Sequence, residues 1–413
     1  MDRQNLTLLT DLYELTMMQG YFKNKEENNT VIFDAFFRNN PFGGGYSIMC
    51  GIEQLVKYVK ELHFSKEDVD YLRGLGIFDE DFLEYLAGFH FTGSIYAIPE
   101  GALMFPREPM VKVIAPIMEA QLVETAILNI INHQSLIATK AARICYAARG
   151  DGIMEFGLRR AQGPDAGTYG ARAAVIAGCV GTSNVLCGQL FDVPVKGTHA
   201  HSWIMSFPDA IISASNDLDE HLIDSLKNQG ATITSWGVGT HLITAKDNPS
   251  FGGVYKLAAI GNPDGTFDPK IKLSENTEKV TNPGNKKIYR IYEKASHKII
   301  ADLICLEEET FTSDRPLVIF DPIEPWKKTH LEANEFELRE LMIPLFIKGE
   351  CVYEFPRTMD IREYCLAEQE TLWEESRRLV NPHQIYVDLS RKLYDTKLRL
   401  LDEVGEKTQG IQS

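Results

Sequence analysis

From about residue 150 to residue 240 the chain alternates short apolar runs with helical stretches, and this pattern most constrains its architecture. Ile153-Met154-Glu155-Phe156 reads as a strand and Thr168–Cys179 as an Ala-rich helix. Val193-Pro194-Val195 is a short strand, and Ile211–Ala214 another. A helix then runs to Lys227, Gly230 stops it, and a strand covers Ile233–Trp236. Strands and helices joined by short connections are parallel βα units, so this part is α/β. In such units the working residues collect at the carboxyl ends of the strands, where loops converge.

The flanks differ. Thr10-Asp11 can cap a helix carrying Leu12, Leu15 and Met18 at helical spacing. Val31–Phe37 reads as a buried strand, and Phe91–Phe105 and Val111–Ala115 as strands bounded by Gly and Pro. Residues 119–149 form a long helical tract with a break expected near Asn132. Residues 262–300, rich in Pro, Asn and Lys, read as strands and exposed loops. In the tail, Val387, Leu389, Leu393, Leu398 and Leu401 suggest one amphipathic helix over 384–403. The expected divisions are an α+β sandwich domain over 1–112, a βα-barrel catalytic domain over 113–261, strands returning to the sandwich over 262–345, and a helical extension over 346–413.

Composition excludes several function classes. Lys and Arg number 42 against 58 Asp and Glu, a net charge of −16, which argues against nucleic acid as the main partner. No apolar run approaches the ~20 residues of a membrane span. The first residues lack the pattern of a secretory signal. The seven cysteines include no Cys-x-x-Cys and read as reduced thiols of a cytoplasmic protein.

Three strand-to-helix junctions differ from ordinary connectors. In the first, Glu155–Asp165, Arg159 and Arg160 stand among glycines. Between residues 140 and 172 six Lys or Arg face three acids. This reversal of sign suits a carboxylate or phosphate, and equally a solvated helix face. The second, Val195–Trp203, holds Thr198, His199, His201 and Ser202. It could supply a metal ligand, a general base or a nucleophile, or be merely polar. An i, i+2 His pair with no nearby carboxylate disfavours zinc, and metal ligands stay unassigned. The third is Ser235–Thr240, whose Gly237-Val238-Gly239-Thr240 turn suits a phosphate cradle or a tight turn. Gly252-Gly253, a second glycine pair, precedes the strand of Val254-Tyr255-Lys256-Leu257.

Together these strings resemble the nicotinate phosphoribosyltransferase family. The resemblance rests on Thr10–Met17, Glu155–Gly163, Gly197–Ser202, Trp236–Thr240, Gly252–Leu257 and Lys279–Lys286, and covers nearly the whole chain in family order. It implies transfer of phosphoribosyl from phosphoribosyl pyrophosphate (PRPP) to nicotinate, with Mg²⁺ and coupled ATP hydrolysis, in a cytosolic homodimer with shared active sites. By motif, Tyr13 of a neighbouring subunit and Phe156 would sandwich the pyridine, and Arg159 and Thr198 would contact nicotinate. Gly237, Gly239, Thr240, Gly252 and Gly253 would serve phosphate, and His201 would be the catalytic histidine that ATP phosphorylates. Rivals are nicotinamide or quinolinate phosphoribosyltransferase, or an impaired pseudoenzyme.

The last rival arises because the family carries an insert of about two βα units where this chain has only Pro208-Asp209-Ala210 between Phe207 and Ile211. About six strands can be counted between 111 and 260, against eight in a closed barrel. The expected fold is therefore an irregular, incomplete-looking βα barrel beside an α+β sandwich, with a helical C-terminal extension.

Overall fold

The computed structural model describes residues 5–197, 213–274, 279–324 and 326–410, with side chains described to 403. Three sheets of four or more strands organise them. The first has seven strands in the order 267–269, 254–261, 30–36, 111–116, 94–97, 343–347, 350–351, each pair antiparallel. Its third strand, Thr30–Phe36, is buried on both faces from Val31 to Ala35, all apolar but Asp34.

The chain leaves this sheet at Pro116 and returns at Val254, which pair with Thr30 and Phe36 at opposite ends of that third strand. The excursion begins with helices Ile117–Leu122 and Glu124–Ala147, so the break falls at Val123 and not at Asn132. It contains a parallel sheet ordered 181–182, 152–155, 235–238, 214–215. Val195 adds a parallel bridge to Thr182. Among the described residues this sheet is open, its edges being Val195 and Ala214–Ser215. Two of the strands counted between 111 and 260, Val111–Pro116 and Val254–Gly261, belong to the antiparallel sheet. The α/β reading of the region holds. The connection between Phe207 and Ile211 lies outside the described residues.

Residues 262–345 do not simply return to the first sheet. Only Phe267–Pro269 and Ile343–Ile347 join it. The rest contributes five strands of a six-stranded sheet ordered 328–331, 317–320, 386–389, 299–306, 286–293, 336–340. Its sixth strand, Tyr386–Leu389, corrects the single-helix reading of the tail. Val387 and Leu389 lie two apart, which is strand spacing, and the helix begins only at Arg391.

Ion pairs tie the two larger sheets together. Buried Lys286 meets buried Asp34 at 2.7 Å, and buried Lys112 meets the exposed Glu307 at 2.7 Å. Arg290 is fully buried. It donates to Asp302 at 2.6 and 3.0 Å, to Glu368 at 3.3 Å and to the Leu103 carbonyl at 3.0 Å. All seven cysteines are free thiols, five of them buried. No helix among the described residues is long and apolar enough to cross a membrane.

Candidate active site

The tips of two adjacent parallel strands, 152–155 and 235–238, form the centre of the site. Ile153 and Met154 bury the first strand, and the Phe156 N–H extends its pairing by donating to the Val238 carbonyl at 2.8 Å. The Phe156 ring lies directly over Gly237. A Cβ at 237 would stand 2.7 and 2.9 Å from two ring carbons, closer than non-bonded carbons tolerate. A Cβ at Gly239 would lie 3.2 Å from the Phe156 carbonyl, and one at Gly157 would lie 2.5 Å from Ile243. Three glycines thus let two strand tips and the short Thr240–Ile243 helix close on one another.

Beneath this surface Glu155 is fully buried. The Gly157 N–H donates to its Oε1, and the Thr182 hydroxyl donates to its Oε2 at 2.6 Å. Burial pushes its carboxyl above the usual range, and those two hydrogen bonds pull the other way. The network continues through Asn184, whose N–H donates to Thr182 Oγ1 at 3.0 Å. Its side chain accepts from Cys187 N at 3.1 Å, capping the Val185–Phe191 helix.

Around the tips the structure sorts the expected site residues. Phe156, Gly237, Gly239 and Thr240 come together, and Thr240 is exposed at the start of its helix. Gly252 has φ +75° with open space where a Cβ would be, and Gly253 packs against Asn132 Oδ1. Arg159 and Arg160 are exposed on the Leu158–Arg160 turn, pairing with no carboxylate among the described residues. Tyr13 stands in a different neighbourhood. It is 47% exposed on the Leu12–Lys23 helix, and burial of its hydroxyl together with hydrogen bonding to Glu14 raises its pKa. Thr198 and His201 lie outside the described residues.

Three polar side chains in this region escaped assignment from sequence. For Glu155 the available signal is a carboxylate closing an apolar strand. Asn132 Oδ1 and His133 Nε2 are buried without partners among the described residues, and burial lowers the His133 pKa. Nothing in a helical tract distinguishes them. The assembled surface offers an aromatic face, exposed guanidinium groups and a glycine-lined turn with a hydroxyl, a set suited to a planar anion beside a phosphate.

Known proteins agree with this chemistry. Residues 8–132 match the nicotinate phosphoribosyltransferase (NAPRTase) N-terminal domain, and residues 285–397 match the C-terminal domain of the same family. Nicotinate phosphoribosyltransferase of Bacillus subtilis is 37% identical, with 98% of this chain and 97% of the relative covered. The Caenorhabditis elegans protein of that name is 30% identical over 94% of this chain and 92% of its own. The crystal structure of human nicotinic acid phosphoribosyltransferase superposes with a TM-score of 0.81 at 23% identity, covering 95% and 99% of the two chains, and establishes the shared fold. The Bacillus alignment runs over 478 positions, of which this chain can fill no more than 413, so at least 65 positions of the relative face no residue here. The chain belongs to the nicotinate phosphoribosyltransferase family.

Proposed function

We infer that the chain is an enzyme of NAD salvage, a nicotinate phosphoribosyltransferase that joins the ring nitrogen of nicotinate to C1 of the ribose of PRPP. The C1–oxygen bond to pyrophosphate breaks, the nitrogen–C1 bond forms, and nicotinate mononucleotide and pyrophosphate leave. The family assignment disfavours the nicotinamide, quinolinate and pseudoenzyme alternatives.

One observation carries the division of labour: the Phe156 ring seated on Gly237, immediately beside Gly239 and Thr240. A pyridine stacked on that ring has its nitrogen next to the turn that would hold the 5′-phosphate, which suits an in-line displacement governed by positioning. Arg159, exposed one turn away, is the natural counter-charge for the nicotinate carboxylate, with Thr198 as a second contact. Gly239, Thr240 and the open Gly252 are proposed to meet phosphate oxygens, with Gly253 beside them; Gly237, paired on both sides within its sheet beneath the Phe156 ring, does not offer free backbone to phosphate. Departing pyrophosphate leaves positive charge on the sugar, so the enzyme's task is to neutralise the leaving group and fix the nitrogen in line.

Mg²⁺ is proposed to enter with the PRPP substrate, held by its phosphate oxygens. His201 is proposed as the acceptor of a phosphoryl group from ATP, since neutral imidazole offers a free lone pair. Tyr13 is proposed to reach the site of a partner subunit. The helix that carries it also exposes Leu12 and Met17. The open parallel sheet is read as part of an irregular βα barrel, shorter in sequence than the Bacillus relative by at least 65 positions.

Incubating the protein with PRPP, Mg²⁺ and nicotinate, with and without ATP, tests the reading. Nicotinate mononucleotide should accumulate, faster with ATP. Turnover of nicotinamide in preference to nicotinate would overturn it.

A further inference from the structure

Glu155 is a fully buried carboxylate that, among the described residues, faces no cation. An uncompensated buried acid is costly to a fold, so its two hydrogen bonds define its use. One ties it to the backbone two residues onward, the Gly157 N–H. The other ties it to the neighbouring strand through the Thr182 hydroxyl at 2.6 Å. The Glu155 carbonyl also accepts from Ser183 N at 3.0 Å, so main chain and side chain both bind the same neighbouring segment. Gly157 is buried, and without Glu155 its N–H would have no acceptor among the described groups.

Phe156 sits between these fixed points. Its N–H is bonded to Val238, and the next N–H is drawn back to Glu155. The backbone must therefore turn sharply at Phe156, and that turn lays the ring on Gly237. We propose that Glu155 is a positioning residue of the nicotinate site, a latch that locks the Phe156 ring in its stacking pose by bonding Gly157 on one side and Thr182 on the other. This rests on the reading of Phe156 given above. Burial also holds the Glu155 proton affinity above its ordinary level, as expected of a group retained for geometry at the expense of solvation.

The test uses Glu155→Met and Thr182→Val in the full chain. Methionine has a similar length but offers no oxygen to the Gly157 N–H or to the Thr182 hydroxyl, and valine keeps the shape of Thr182 without its hydroxyl. Each variant breaks the latch with little change in side-chain size. Both variants should raise the KM for nicotinate about tenfold while leaving the KM for PRPP within about twofold, because the loss falls on ring placement. Backbone hydrogen exchange at Gly157 should accelerate in Glu155→Met, which removes its acceptor. Unchanged nicotinate KM with only a lower melting temperature would overturn the proposal and leave Glu155 a structural residue. So would unaltered protection at Gly157, or equal rises in both KM values. If the wild type formed no mononucleotide, the function reading would fail separately. Nicotinate affinity by calorimetry and Gly157 exchange would then still decide for or against the latch.

Discussion

Gly237→Ala is the most direct probe of the site. The added methyl would stand 2.7 and 2.9 Å from Cδ2 and Cε2 of Phe156, where unstrained carbon contacts lie at about 3.5–4.0 Å. The ring must therefore retreat by about 1 Å. Backbone conformation adds no penalty, because Gly237 lies within a regular strand and is not among the positive-φ residues. Overpacking of this kind costs about 1–3 kcal/mol, so the variant should remain folded with a modestly lower melting temperature. A displacement of about 1 Å at a reacting substrate costs up to about 10²-fold in rate. We expect kcat/KM for nicotinate to fall 10- to 100-fold, measured at saturating PRPP, with PRPP affinity less affected. Adding Phe156→Leu removes the clash, so stability should recover while nicotinate affinity does not. A Gly237→Ala enzyme with wild-type KM for nicotinate would refute the assignment of Phe156 as the stacking face.

Other perturbations test separate parts of the account. Arg290→Met leaves Asp302 without its buried cation, while Glu368 keeps Arg339, and should destabilise the protein by about 3–5 kcal/mol in chemical denaturation; a loss below about 1 kcal/mol would contradict the structural role given to this buried arginine. Glu124, pushed up to about 7 by burial and by Glu14 against the pull of Lys256, retains its proton in the folded state at pH values where the unfolded chain has lost it. Its contribution is therefore full below about pH 4.5 and lost as pH rises through about 7, so Glu124→Gln should raise the melting temperature at pH 8 more than at pH 4.5. His201→Ala should abolish ATP stimulation and phosphoenzyme while leaving slow ATP-independent transfer; intact ATP coupling would remove His201 from the mechanism.

Much of the centre was legible in sequence because strand tips announce themselves locally. An apolar run, an aromatic and a glycine turn placed Phe156, Gly237, Gly239 and Thr240 at junctions, and the fold brings them together. What stayed hidden depends on partners distant in the chain. Lys286 reads as one more surface lysine until the fold sets it against Asp34, and Arg290 as a strand residue until Glu368 arrives from a helix. Glu155 carries no local sign of its latch, because the Thr182 hydroxyl comes from another strand. In the tail, the four-residue strand adjoins a longer leucine run at helical spacing that masks its own period of two, and pairing with Ala301–Ile304 decides for a strand.

The two points where the excursion leaves and rejoins the antiparallel sheet, Pro116 and Val254, are both pinned to one seven-residue strand, about 20 Å apart. Whatever lies between them can grow or shrink without altering the register of a single pair in that sheet. A lineage could therefore trim dozens of residues from the reactive half of such an enzyme and still inherit its outer frame unaltered. Selection on turnover and selection on foldability would then act on different stretches of the same gene.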